Sequence, residues 1–195
     1  MATYVFSDVH GHAAPLARAI KKIAPAEDDV FYCLGDMIDR GPDPLGVISI
    51  VRSLPNVHVL MGNHEDLMMA CMLEPEDELD AVNAANWGIN GGIVTSEALA
   101  GLSEDEADEI VAWVASLPRC AHVTVGERPY LLVHAGIDPS AVTVEGPWDD
   151  QKLDALLAEQ SPDDLLWIRE GFWGSHTGLV DAEGKGPIVI AGHTP

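Results

Sequence analysis

Short apolar runs that stop abruptly in charge set the limits on how this chain can fold. "ATYVF" closes on "SDVHG", "DDVFYCL" on "GDMIDRG" and "PYLLV" on "HAG", while "NVHVLMGNH" and "GPIVIAGHTP" carry polar clusters at their ends. Rich in β-branched and aromatic residues, these runs predict buried strands. Stretches of helical period follow the first three of these runs in chain order, "ATYVF", "DDVFYCL" and "NVHVLMGNH". "PLARAIKKIA" sets Leu16, Ile20 and Ile23 on one face, "PDPLGVISIVRSLP" opens on one proline and closes on another, and "EDLMMACMLE" comes after the third run. Such alternation predicts βαβ units and a mostly parallel sheet. Ligands of an open parallel sheet bind beyond the carboxyl ends of its strands, so the polar clusters are expected to share one rim.

The middle of the chain departs from this rhythm. From about residue 75 to 117 it turns acidic and helix-like, with "SEDEADEIVAWVASLP" predicting a capped amphipathic helix, and we read this part as a helical insertion. "RCAHVTVGERPYLLVHAG" predicts two strands around the turn "GERP", and "DLLWIREGFWGSHTG" an aromatic loop. No repeat or linker separates these parts, so one α/β domain over residues 1–195 is expected.

A chain of 195 residues, 47% of them hydrophobic, can bury a core without staples. Its 10 Lys and Arg against 32 Asp and Glu give a formal net charge of -22. Such a surface repels phosphate backbones and anionic lipid, which argues against nucleic acid and membrane as partners. Nothing approaches the roughly 18 consecutive apolar residues of a membrane span. "MATYVFSDVHGH" lacks a basic segment, a long apolar core and a small-residue cleavage site, so a cytoplasmic protein is expected. Cys33, Cys71 and Cys120, odd in number and in apolar company, are expected to be reduced, buried and inert.

Asp8, His10, Asp36, Asn63, His134 and His193 offer carboxylates, imidazoles and an amide oxygen, and no thiolate. Donors of this kind suit Mn²⁺, Fe or Zn²⁺. Two such ions roughly 3.5–4 Å apart can clamp a phosphoryl group for in-line attack, with Asp36 as the natural bridge. Taken singly, an Asp-x-His is a solvated turn and a lone "HAG" says little. Recurrence at successive strand ends is what points to metal.

In the order GDxHG, GDxVDRG, GNHE, HAG and GH, these motifs form the pattern of the phosphoprotein phosphatase branch of the binuclear metallophosphoesterases. The chain resembles that family through "SDVHG", "GDMIDRG", "GNHE", "HAG" and "GHTP". "WGINGG" at Trp87 to Gly92 and "GNHEDLMM" are similar to segments of its small bacterial and phage serine/threonine protein phosphatases. The resemblance implies a metallophosphoesterase-type β-sandwich core with mixed sheets flanked by helices. It implies that Asp8, His10 and Asp36 hold a first metal, and that Asp36, Asn63, His134 and His193 hold a second. Manganese is the first choice, with iron or zinc as alternatives, and a hydroxide held between the two ions would attack phosphorus. His64 would protonate the leaving oxygen, with Asp39 orienting it and favouring its protonated form. Arg40 and Arg169 would hold phosphate oxygens beside Asn63, although Arg169 could instead pair with Glu170 or another surface acid.

Two departures from the family pattern are plain. Ser7 stands where glycine is usual, for which a local adjustment is expected. The chain also stops at Pro195, just after His193, where relatives continue with strands that complete the sheet, so an incomplete sequence is expected. The implied activity is hydrolysis of phosphoserine, phosphothreonine or phosphotyrosine in proteins. A second reading is a symmetrical diadenosine tetraphosphate hydrolase, to which "GDMIDRGPDPLGVI" and "HAGIDP" are similar. That branch commonly reads GDLVARG and GNHD where this chain has Asp39 and Glu65. A third reading is a non-catalytic metal-binding scaffold, whose sign would be a missing ligand or acid. Of the remaining residues, His12 lines the mouth of the site or caps the first helix, and His176 is a solvated loop residue. His58 and His122 are structural, and Trp167, Phe172 and Trp173 are core or loop anchors.

Overall fold

The computed structural model describes residues 1–72, 82, 85–180 and 184–194, which fall into two compact units, Met1–Leu117 and Pro118–Pro195. In the first unit β1 (Thr3–Phe6), β2 (Val30–Cys33) and β3 (Val57–Val59) form a parallel sheet in the order β1-β2-β3. Phe6 pairs with Cys33 and Cys33 with Val59, so the strands finish together. With β2 central, its following loop lies between the loops after β1 and β3.

Helices cover this sheet for reasons written in their ends and faces. α1 (Ala13–Ile23) turns Ala13, Leu16 and Ile20 to the core and stops at Ala24, whose left-handed backbone lets its N–H reach Ile20 O. α2 (Pro44–Arg52) has Pro44 at its first position and Asp43 as N-cap, accepting from Gly46 N at 2.9 Å. α3 (Asn63–Met72) begins inside the third motif. The strand predicted over "NVHVLMGNH" thus ends early, and Asn63 and His64 form a first helical turn. The Glu65 carboxylate accepts from Gly62 N and places negative charge at that helix start, which favours the helix.

Of the insertion expected over 75–117, residues 75–81, 83 and 84 lie outside the described residues. After Trp87 comes a π-helical turn, Gly88–Gly92, followed by α4 (Ile93–Ala100) and α5 (Glu104–Ala115). The cap expected for α5 is present: Glu106 N donates to Ser103 Oγ, and Ser103 N donates back to Glu106 Oε2. Trp87, Leu99 and Val114 share one core with Cys33, Val51 and Met68.

In the second unit β4 (Cys120–Val125) and β5 (Arg128–Val133) are antiparallel, and β6 (Ile188–Ile190) runs parallel to β5. The hairpin turn is Gly126–Glu127, tighter than "GERP" predicts: Gly126 takes φ +63°, and Arg128 and Pro129 already pair with Val125 and Thr124. Leu131 and Val133 pack with Leu153 and Leu156 of α6 (Asp150–Ala158) and Leu165 of α7 (Pro162–Trp167). The loop predicted across "DLLWIREGFW" is helical instead, forming α7 and then α8 (Glu170–Trp173), because Ser161 caps α7 and the buried Leu165 and Leu166 fix it. Phe172 packs into that core, whereas Trp173 is 60% exposed and is not an anchor.

The mixed α/β class is therefore as expected, with one parallel and one mixed sheet in place of a single, mostly parallel one. All three cysteines are free, but only Cys33 is buried; Cys71 and Cys120 are half-buried. No helix among the described residues is long and apolar enough to cross a membrane.

Candidate metal centre

Backbone conformation marks the motif residues before any side chain does. Asp8, His10, Asp36, Asp39, Arg40 and His193 have φ between +44° and +69°, a left-handed region that non-glycine residues seldom enter. Bonds between neighbouring loops hold the strain in the first unit: His10 N donates to Asp36 O at 2.9 Å and Gly11 N to Met37 O at 2.8 Å. Ser7 is not left-handed, so serine fits there without strain, although its buried Oγ makes no hydrogen bond among the described residues. Gly35, at φ +95°, lies against the Gly62 backbone so closely that a Cβ on it would force the two loops apart.

Glu65, fully buried, organises the loop that carries Asp36. Its Oε2 accepts from Asp36 N at 2.8 Å and Gly62 N at 2.9 Å, and its Oε1 from Met37 N at 2.8 Å and Ile38 N at 3.4 Å. His64 N donates to Asp36 Oδ1 at 3.1 Å. Burial first, and then the Glu65 charge, push the Asp36 carboxyl up to about 9; Asp8 adds to this and the His64 N–H opposes it. Burial also raises Glu65, against the pull of its backbone donors.

His10 Nδ1 donates to Ile38 O at 3.1 Å, which turns the Nε2 lone pair toward Asp36 Oδ2, 3.4 Å away. Burial lowers the His10 pKa, which keeps the ring in the neutral form that ligates metal. Ligand atoms of His10, Asp36 and His64 all lie within 4.8 Å of one another. A buried carboxyl beside a second acid and an outward imidazole lone pair is a donor set that fits a divalent cation. His64, expected as an acid, joins this group, while Asp8 acts on His10 and Asp36 through its charge. Asn63 is buried at the start of α3.

His64 Nδ1 donates to Asp39 Oδ2 at 2.6 Å, and both residues are buried. Asp39 also accepts from Trp87 Nε1 at 2.9 Å and Thr95 Oγ1 at 2.6 Å. Trp87 opens the "WGINGG" segment that the sequence marks, but its bond to Asp39 is not foreseen there, and Thr95, a lone polar residue in "GIVT", gives no signal of burial. Arg40, expected on phosphate, spans the two imidazoles: Nη1 donates to His10 Nε2 and Nη2 to His64 Nε2, each at 2.9 Å.

In the second unit His134 follows β5 and His193 follows β6, with Gly192 N donating to His134 O at 2.7 Å. The two imidazoles meet edge to face, centroids 5.1 Å apart, and Trp167 stands 5.9 Å from His193. Arg169 is exposed at the N-cap of α8, and no ion pair to Glu170 forms among the described residues. His12 occupies the N-cap of α1 but makes no side-chain cap bond, so it does not cap that helix. His58 stacks on Tyr32, His122 binds Asp154 at 3.0 Å, and His176 is exposed, as expected.

Residues 1–195 match the family model for the calcineurin-like phosphoesterases. Over 168 residues the chain is 26% identical to a symmetrical bis(5'-nucleosyl)-tetraphosphatase of Proteus mirabilis, covering 83% of this chain and 54% of that protein. Over 142 residues it is 31% identical to the protein of that name in Erwinia tasmaniensis, covering 71% of this chain and 46% of the other. The chain thus spans about half the length of the curated relatives it matches. Its fold is also similar to that of a cold-active protein tyrosine phosphatase, with a TM-score of 0.51 and 18% identity over 98% of this chain and 66% of that one. Matched along its whole length, the chain belongs to the calcineurin-like phosphoesterase family.

Proposed function

We propose that this chain carries the site of a divalent-metal-dependent phosphoesterase that splits symmetrical dinucleoside tetraphosphates. The reaction type rests on one observation, the buried His64–Asp39 pair at 2.6 Å beside the donors of His10 and Asp36. The substrate rests on the shared name of the relatives. Asp8, His10 and Asp36, with Asn63, His134 and His193, are the residues that would hold metal. Ions bound there supply Lewis acidity toward phosphoryl oxygens.

The chain's own side chains supply the rest. An entering phosphate draws the Arg40 guanidinium off the imidazole pair, because a charge-assisted fork onto phosphate is stronger than a bond to a neutral ring. That movement frees His64 Nε2. Once free, Nε2 takes up a proton from solvent; with Nδ1–H held on Asp39, the ring passes that Nε2 proton to the leaving oxygen as the P–O bond breaks, while water adds to phosphorus and loses a proton to solvent. Cleavage at the middle of a tetraphosphate releases two nucleoside diphosphates.

A second reading, a phosphatase of phosphoserine, phosphothreonine or phosphotyrosine in proteins, is favoured by Asp39 itself. Hydrolases of the dinucleotide branch commonly carry alanine at that position, whereas here the carboxylate is buried and bonded to His64. Both readings place the same acid beside the leaving oxygen, and it matters most for an alkyl leaving group. His64→Asn is expected to lower turnover of an alkyl phosphate by about 100-fold while leaving metal stoichiometry unchanged. Undiminished turnover, or loss of metal with it, would contradict the role given to His64.

A further inference from the structure

We infer that Trp87 and Thr95 are positioning residues for proton transfer, aiming the Asp39 carboxylate and through it the ring of His64. The inference rests on the reading of His64 as proton donor. Asp39 is 0% exposed and takes a left-handed φ of +69°, so its orientation depends on what holds it. Thr95, itself 1% exposed, grips it at both ends: its Oγ1 accepts from Asp39 N at 3.0 Å and donates to Oδ1 at 2.6 Å. Trp87, 3% exposed, aims its indole N–H between the oxygens, at 3.1 Å from Oδ1 and 2.9 Å from Oδ2. The third donor is His64 Nδ1–H. A buried carboxylate with three fixed donors has little freedom to turn, and the imidazole bonded to it inherits that rigidity.

The segment between the two residues is shaped to the same end. A Cβ on Gly92 would run into the Trp87 indole, so glycine there lets the ring lie flat over the turn. Gly91, at φ +100°, directs its carbonyl to Arg40 N at 3.2 Å, and Asn90 O accepts from Arg40 Nε at 3.4 Å. One π-helical turn therefore supports both the acid pair and the guanidinium, a use such turns often have at functional sites. An aromatic packing role alone would need neither the N–H nor the hydroxyl.

The test compares Trp87→Phe, Thr95→Val and Thr95→Ser with His64→Asn in the Mn²⁺-loaded protein. Two monoesters are used: 4-nitrophenyl phosphate, whose leaving group needs little protonation, and an alkyl phosphate, whose leaving group needs a full proton. Trp87→Phe and Thr95→Val are expected to lower kcat for the alkyl ester on the order of tenfold, with KM and 4-nitrophenyl phosphate turnover within about twofold of wild type. Thr95→Ser, which keeps the hydroxyl, is expected to restore the rate. Combining Trp87→Phe with His64→Asn should add nothing to His64→Asn alone, because residues acting through one group are not additive. The His64 Nδ1–H proton resonance should also move in Trp87→Phe. Equal losses on both esters, or no loss in these variants while His64→Asn selectively loses the alkyl ester, would overturn the positioning role alone. Absence of leaving-group selectivity in His64→Asn itself would overturn the acid assignment and this inference with it.

Discussion

At the scale of single residues, the site is a set of backbone conformations held against strain. Asp8, His10, Asp36, Asp39 and Arg40 all enter the left-handed region, and Glu65 is the residue that accepts the donors of the central loop. Every group facing the Glu65 carboxylate in these bonds is an N–H. Glu65→Gln would set an amide N–H₂ against them, leaving buried donors unpaired at about 1–3 kcal/mol each. The expected result is a fall in unfolding free energy of about 3 kcal/mol in urea titration; stability equal to wild type would remove Glu65 from this role. The motif residues themselves were legible in sequence, since charge recurring at the ends of apolar runs has few structural uses. Of their supports, Trp87 stands in "WGINGG", which the resemblance marks without giving its role, and Thr95 carries no signal. Trp87 and Thr95 act across more than forty positions of sequence, at |i−j| of 48 and 56 from Asp39, and nothing local shows that a hydroxyl or an indole N–H will bond to a distant carboxylate.

At the scale of elements, strand and helix order was readable because period and end signals agree: Pro44 at the start of α2 and the Ser103–Glu106 cap of α5 fall where the sequence puts them. Errors lie where tertiary contacts override the run of residues. β3 stops at Val59 and α3 starts at Asn63 because Glu65 caps the helix start through Gly62 N, and "DLLWIREGFW" coils into α7 and α8 over a leucine core. Among the joints between elements, Asp29 ties the start of β1 to the turn before β2, accepting from Ala2 N at 2.6 Å and Ala26 N at 2.9 Å. These bonds, the Ala2 one foremost, hold its carboxyl below the usual carboxylate range. A group with a depressed folded pKa stabilises above its unfolded pKa, about 3.9, and loses that contribution as pH falls through the folded value. Asp29→Asn should therefore lower Tm at pH 7, with the gap to wild type closing as pH drops below about 4. A gap that persists unchanged in acid would show that the charge of Asp29 is not what holds the joint.

At the scale of the whole molecule, a net charge of -22 surrounds a site meant for an anion. Arg40 brings a cation to the first unit's cluster of imidazoles and carboxylates, and on the proposed reading its fork would be the first contact for phosphate. Sequence and geometry fix the reaction class more tightly than the leaving group, because the donors and the acid are the same for a phosphopeptide and for a dinucleotide. The decisive measurement is a parallel assay of the Mn²⁺-loaded protein on diadenosine tetraphosphate and a phosphoserine peptide, with and without a chelator. Chelator-sensitive release of ADP, faster than phosphate release from the peptide, is the expected result. Preferential turnover of the peptide would contradict the dinucleotide assignment, and cleavage of neither, or cleavage indifferent to the chelator, would contradict the metal-dependent phosphoesterase itself.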